Sequence, residues 1–278
     1  MPEITAHKGL FRTTNLHVED TGGDGRPVLL LHGWPLSGDS WKEQVDELKD
    51  EDFRVVTYDR RGFGRSDKPP LGYDYDTFTE DLFKVIEGLE LVDLTLVGFS
   101  MGGGEVARYC AKYGTGRLRS VVFAGAVTPY LLKRLDNPDG PLTLAESNAL
   151  ATRLENDEDE FYEWFSKQFY SVDDDLKVKD DVRKQAVALA KMADHKASVA
   201  TMKAWATTDF REDLQHVDVP ALVIHGDGDA LVDFEGSGAR THAAIPGSRL
   251  HVVEGGPHGI NVSDAKEFNR VLIDFLKR

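Results

Sequence analysis

The sequence predicts an α/β fold in which a mostly parallel sheet is covered by helices on both faces. Three observations carry this. Short apolar runs recur along the chain, each followed by a stretch of helical periodicity, which is the rhythm of βαβ units. Runs such as Val28-Leu29-Leu30-Leu31 and Ala221-Leu222-Val223-Ile224 are unbroken rather than alternating, as strands buried on both faces must be. At 278 residues and 41% hydrophobic content, the chain can also bury one large core.

The elements are expected in the following order. The stretch up to Asp20 forms an antiparallel edge. A strand at 28–31 is followed by a helix near 40–48, a strand at 53–58, a helix near 77–89 and a strand at 94–99. The helix that begins around Gly102 leads to a strand at 118–124. From about Thr128 to Asp218 the alternation stops, and the segment reads helical and charged throughout. The rhythm resumes with a strand at Ala221, a helix near 234–244, a strand at 250–253 and a closing helix at 263–276. This divides the chain into a core (1–127), a helical insertion (128–218) and the rest of the core (219–278).

Charge and composition exclude several classes of function. A net charge of −15 argues against nucleic acid and anionic membrane surfaces as partners. The single cysteine, Cys110, excludes an intrachain disulfide and falls where a helix would pack it. No run of about 18 apolar residues is present, and the start of the chain lacks the pattern of a secretory signal. A cytoplasmic protein is expected. No zinc-ligand spacing appears, and the glycines of the arginine-rich stretch 58–67 lack P-loop spacing, so that stretch reads as a structural loop.

The chemistry concentrates at Gly98-Phe99-Ser100-Met101-Gly102. A strand-like run precedes this pentapeptide and a glycine-rich helix start follows it, the strand–turn–helix context of a nucleophile elbow. Such a turn stands the serine oxygen clear of the sheet at a helix N-terminus, where backbone N–H groups receive developing negative charge. A serine hydroxyl needs a base to take its proton and an acid to orient that base. Beyond the strand at Ala221 the chain turns through Asp227-Gly228-Asp229, and beyond the strand at 250–253 it reads Gly256-Pro257-His258-Gly259. Both groups sit just past strand C-termini, where open α/β sheets place ligand sites. His258, between glycines, is the candidate base. Asp227 and Asp229 are both placed to be the acid. His32 and His225, at strand ends, read as structural hydrogen-bonders. An oxyanion needs two backbone donors; Met101 supplies one by position, and Trp34, in His32-Gly33-Trp34-Pro35 after an early strand, is the candidate for the second. Pro35 has no N–H to give.

These residues together carry a resemblance. The segments HGWP (32–35), YDRRGFGRSD (58–67), GFSMGGGEVARY (98–109), GAVTP (125–129), HGDGD (225–229) and PHG (257–259) resemble, in order and over nearly the whole chain, the cofactor-free haloperoxidase and arylesterase group of the α/β-hydrolase superfamily. The resemblance implies an eight-stranded, mostly parallel sheet with the insertion at 128–218 as a cap over the active site. It selects Asp229 as the acid of a Ser100–His258–Asp229 triad, with Trp34 and Met101 as oxyanion donors. It implies hydrolysis of small carboxylic esters without haem, metal or other cofactor, and perhydrolysis, in which hydrogen peroxide replaces water as acyl acceptor and the released peracid oxidises halide. It also implies a symmetric homo-oligomer.

Within the insertion Phe161, Phe165 and Phe169 recur every four residues on one helical face, and caps of this family face the serine. Phe165 and Phe169 are therefore expected in the substrate pocket, with Pro35 and with Leu231, Val232 and Phe234 just past Asp229. Pro35 is also expected to favour perhydrolysis, by tilting a neighbouring carbonyl to accept a hydrogen bond from peroxide. Three other readings stay open: the same triad acting on a lactone, lactam or carbon–carbon bond, a ligand receptor that kept the fold, and a non-catalytic scaffold. Relatives that open epoxides or displace halide carry aspartate at the elbow, where this chain has Ser100.

Overall fold

A computed structural model describes residues 3–8 and 13–278; residues 1–2 and 9–12 of the expected edge segment lie outside it. Strands β1 (Glu3–Lys8) and β2 (Thr13–Asp20) pair antiparallel at one edge. Next come β3 (Pro27–Leu31), a 3₁₀ turn at Gly38–Trp41, α1 (Lys42–Asp50), β4 (Arg54–Tyr58) and α2 (Tyr75–Gly88). Then follow β5 (Leu94–Phe99), α3 (Met101–Tyr113) and β6 (Leu118–Ala124). The insertion holds α4 (Leu144–Asn156), α5 (Glu158–Tyr170), the short hairpin β7 (Ser171–Val172) and β8 (Asp175–Leu176), α6 (Asp180–Ala190), α7 (His195–Thr207) and α8 (Arg211–Leu214). The chain closes with β9 (Ala221–Gly226), α9 (Gly238–Ala244), β10 (Arg249–Val253), α10 (Ile260–Ser263) and α11 (Ala265–Leu276).

Eight strands form one sheet in the order β1-β2-β4-β3-β5-β6-β9-β10. Only the pairings of β2, with β1 and β4, are antiparallel. The unbroken apolar runs have the expected cause: alternate residues feed two cores. Leu29, Leu31, Leu96, Phe123 and Val223 face α2 and α3, while Leu30, Val97, Phe99, Val122 and Ile224 face α1 and α11. Each buried aliphatic or aromatic side chain contributes about 1.5–3 kcal/mol of transfer free energy. Cys110 is part of this packing, and burial pushes its thiol pKa up to about 12, which leaves it unreactive.

The structure departs from the expected helices at three places. Residues 125–143 hold no helix, because Pro129, Pro138 and Pro141 with Gly140 interrupt any helical hydrogen-bond ladder. The run Asp173-Asp174-Asp175 closes the β7–β8 hairpin, with Asp173 and Asp174 at positive φ as a tight turn demands. The helix expected near 234–244 begins only at Gly238. The Asp233 carboxylate accepts from the Gly236 N–H at 2.6 Å and holds the preceding residues in a turn.

Strand order fixes where a site can form. β3 lies between β4 and β5, so chain direction across the sheet reverses between β3 and β5. The loops that leave the C-terminal ends of these two strands sit side by side at this switch point. They carry Gly33-Trp34 and Ser100.

Candidate active site

The elbow is a consequence of its glycines. A Cβ on Gly98 would fall 2.5 Å from the Gly102 carbonyl oxygen, and one on Gly102 would fall 2.7 Å from that of Leu31. Strand, turn and helix can cross this closely only if both positions lack a side chain. Ser100, forced into the crossing, adopts φ 55° and ψ −118°, a strained conformation for a residue with a Cβ. It caps α3 without a side-chain hydrogen bond to the helix, so its hydroxyl is left for other partners.

That hydroxyl donates to His258 Nε2 at 2.9 Å, and the opposite ring nitrogen, Nδ1, donates to Asp229 Oδ2 at 2.6 Å. His258 comes from the loop after β10 and is clamped by rings, with Phe99 at 5.1 Å and Phe169 edge-on at 4.9 Å. Asp229 comes from the loop after β9. Its Oδ1 accepts from the N–H groups of Leu231 at 2.9 Å and Val232 at 2.8 Å. Burial alone would raise the pKa of this carboxyl. The His258 charge and hydrogen bonds from His225 and His258 outweigh it and hold the pKa well below the usual carboxylate range. Asp227 instead accepts from the Gly255 N–H at 2.6 Å, and so ties the β9 and β10 loops together.

Met101 is the first residue of α3, so its N–H has no acceptor within the helix. Gly33 abuts the nucleophile: a Cβ there would lie 3.2 Å from Ser100 Cβ. The next residue, Trp34, lines the same cavity as Ser100 and His258. That cavity encloses ≈ 500 Å³ including its mouth. Its walls are apolar and aromatic: Phe161, Trp164 and Phe165 from α5, Met202 and Trp205 from α7, and Leu231 and Val232 after β9. The Trp34 indole N–H donates to the Ser198 carbonyl at 3.1 Å, and its ring meets Phe165 edge-on at 5.0 Å. The loop after β3 is thereby bound to the inserted helices.

Of the expected pocket residues, Phe165, Leu231 and Val232 line this cavity, whereas Phe169, Pro35 and Phe234 do not. Phe169 turns toward the His258 ring and, with Pro35, borders a separate small cavity behind Phe165. Phe234 packs on His225, 5.7 Å between ring centroids, because the turn after Val232 points it back toward the sheet. Sequence reading missed Trp164, Trp205 and Met202. Trp164 lies one turn beyond Phe161 on α5, and that spacing was its available signal. The other two lie on α7, whose place over the cavity is a tertiary fact with no local signature. His225 is also more than a strand-end residue: its Nε2 donates to the Val232 carbonyl at 2.8 Å and lies 3.2 Å from Asp229 Oδ2. Among the described residues no helix is long and apolar enough to cross a membrane, and no cluster of three or more His, Cys, Asp or Glu is arranged to hold a metal ion.

Known proteins share this architecture. The alpha/beta hydrolase fold family matches residues 26–265. A non-heme chloroperoxidase of Kitasatospora aureofaciens is 40% identical over 259 residues, covering 92% of this chain and 94% of that protein. A bifunctional esterase/perhydrolase of Acinetobacter calcoaceticus is 35% identical over 266 residues, covering 95% of this chain and 96% of that one. The crystal structure of a bromoperoxidase from Bacillus anthracis superposes with a TM-score of 0.96 at 47% identity, covering 100% of this chain and 99% of that one. On fold and on similarity that extends over nearly the whole chain, the chain belongs to the α/β-hydrolase family, within its non-heme haloperoxidase group.

Proposed function

We propose that the protein is a serine esterase of small, uncharged, preferably aromatic esters, with Ser100 as nucleophile, His258 as base and Asp229 as orienting acid. The observation that carries this is the unbroken hydrogen-bond chain from Ser100 through His258 to Asp229, opening onto an aromatic-walled cavity. Ser100 Oγ bonds to the ester carbonyl carbon as its proton passes to His258 Nε2. The oxyanion is received by the N–H groups of Trp34 and Met101. The ester C–O bond then breaks, and the leaving alkoxide takes the proton from His258. Water next gives a proton to His258 and attacks the acyl carbon, which frees the acid and restores Ser100. Hydrogen peroxide in the place of water yields a peracid. Relatives named as chloroperoxidase and as esterase/perhydrolase support both acceptors.

No Lys, Arg, Asp or Glu is among the residues lining the cavity, and an unpaired charge is costly to bury, which supports a neutral substrate. The insertion supplies seven of the thirteen lining residues, five of them from α5 and α7, and we assign it the role of a cap. The test is hydrolysis of p-nitrophenyl acetate and phenyl acetate, with and without hydrogen peroxide. Turnover above about 1 s⁻¹ without added cofactor is expected, with part of the acyl flux recovered as peracetic acid when peroxide is present. Tight ester binding without turnover would instead indicate a receptor. A Pro35→Leu variant is expected to shift the perhydrolysis-to-hydrolysis ratio several-fold toward hydrolysis. An unchanged ratio would remove Pro35 from the choice of acceptor.

A further inference from the structure

The two oxyanion donors proposed above come from different elements. Met101 opens α3, whereas Trp34 lies in the loop after β3, and no short covalent path fixes their spacing. A misplacement of about 1 Å in such a constellation can cost 10²-fold in rate. A buried polar cluster joins the two elements. Arg60 and Glu105 are both fully buried, and Glu105 lies one helical turn beyond Met101 on α3. Arg60 Nε donates to Glu105 Oε1, and the Tyr58 hydroxyl donates to Glu105 Oε2 at 2.8 Å. On its other side, Arg60 Nη2 donates to the His32 carbonyl oxygen at 2.5 Å. The Arg60 backbone N–H donates to His32 Nε2 at 3.1 Å.

The His32 ring carries this tie to the donor. Burial, reinforced by the Arg60 charge, pushes its pKa well below the ordinary value, so the ring is neutral. With Nε2 accepting, the ring proton sits on Nδ1, which donates to the Gly33 carbonyl at 2.9 Å. Arg60 Nη1 lies against the same ring, 3.0 Å from Nδ1. The Gly33 carbonyl and the Trp34 N–H belong to one planar trans peptide and point in opposite directions. A bond that holds this carbonyl therefore aims that N–H.

We propose that Arg60, anchored by Glu105 and acting through His32, is a positioning residue that sets the Trp34 N–H against the Met101 N–H for oxyanion binding. It rests on the Ser100 esterase reading. Its natural comparison is Arg61, whose guanidinium makes a similarly buried fork with Asp81 on α2, at 2.6 and 2.5 Å, and has no bond to His32 or Glu105.

The experiment compares Arg60→Lys, Tyr58→Phe and Arg61→Lys with the wild type. Active sites are counted by complete reaction with a p-nitrophenyl phosphonate, and kcat is expressed per reacted site. Arg60→Lys keeps a cation beside Glu105 but cannot span to His32. Its kcat per site is expected to fall about 10- to 100-fold, within the cost of losing one oxyanion donor. KM should stay within about threefold, and affinity for a trifluoromethyl ketone, which mimics the tetrahedral intermediate, should fall by the same factor as kcat. Arg61→Lys should lower Tm yet leave kcat per site close to wild type. Should Arg60→Lys fail to fold, Tyr58→Phe carries the test with a smaller fall in kcat at unchanged KM. Equal kcat per site in the Arg60→Lys and Arg61→Lys proteins, or in Tyr58→Phe and wild type, would overturn the proposal. A wild type whose Ser100 does not react with the phosphonate would overturn the esterase reading itself, and this one with it.

Discussion

Replacing Ser100 with alanine is expected to lower kcat for p-nitrophenyl acetate by about 10⁴-fold or more, in line with triad knockouts. The hydroxyl is the group that meets His258, at 2.9 Å, and it makes no cap bond to α3, so its loss removes the nucleophile without removing a helix anchor. Alanine also keeps the Cβ that the crossing already holds at φ 55°, so the local strain is unchanged. The Tm should therefore stay within a few degrees of wild type, while turnover collapses. Ester hydrolysis and peroxide-dependent halide oxidation should fall together, because both pass through the same acyl-enzyme. Halide oxidation that survived the loss of esterase activity would separate the two reactions and place the second outside Ser100.

The parts of this site legible in the sequence are those with local causes. Gly98 and Gly102 are needed by one tight crossing, and that need leaves a pentapeptide in a strand–turn–helix context. Strands buried on both faces leave unbroken apolar runs, and strand ends leave the turns that carry Asp229 and His258. Asp227 and Asp229 could not be separated by local pattern, since both are turn aspartates. The structure separates them by partner: Asp227 bonds to the Gly255 N–H, and Asp229 bonds to His258. Pocket walls were read less well. The four-residue recurrence of Phe161, Phe165 and Phe169 marks a helix face, but the face wraps around an edge of the site. Phe165 reaches the cavity, and Phe169 reaches the back of the histidine. Trp205 enters from a helix 40 positions further on than Phe165, and only packing can bring it there. The Arg60–Glu105 pair was hidden for the same reason, because 45 residues separate its partners.

Changing Asp229 to asparagine is expected to lower kcat by about 10⁴-fold with little change in shape. The amide oxygen can still accept from the Leu231 and Val232 N–H groups, which now hold Asp229 Oδ1. Its NH₂ then faces His258 Nδ1, where a carboxylate oxygen accepts at 2.6 Å in the wild type. An NH₂ can only donate, so the ring must carry its proton on Nε2, and Ser100 loses the acceptor for its own proton. The variant should also show a distinct pH dependence of stability. In the wild type the folded-state pKa of Asp229 is depressed below its unfolded value of about 3.9. That contribution is complete above the unfolded value and is lost as pH falls through the folded one. Asparagine has no such term. The Tm gap between wild type and variant, measured at pH 7 and again near pH 3, should therefore narrow in acid. An Asp229→Asn enzyme within tenfold of wild type, with a gap that does not depend on pH, would show that the imidazole is oriented by some other group.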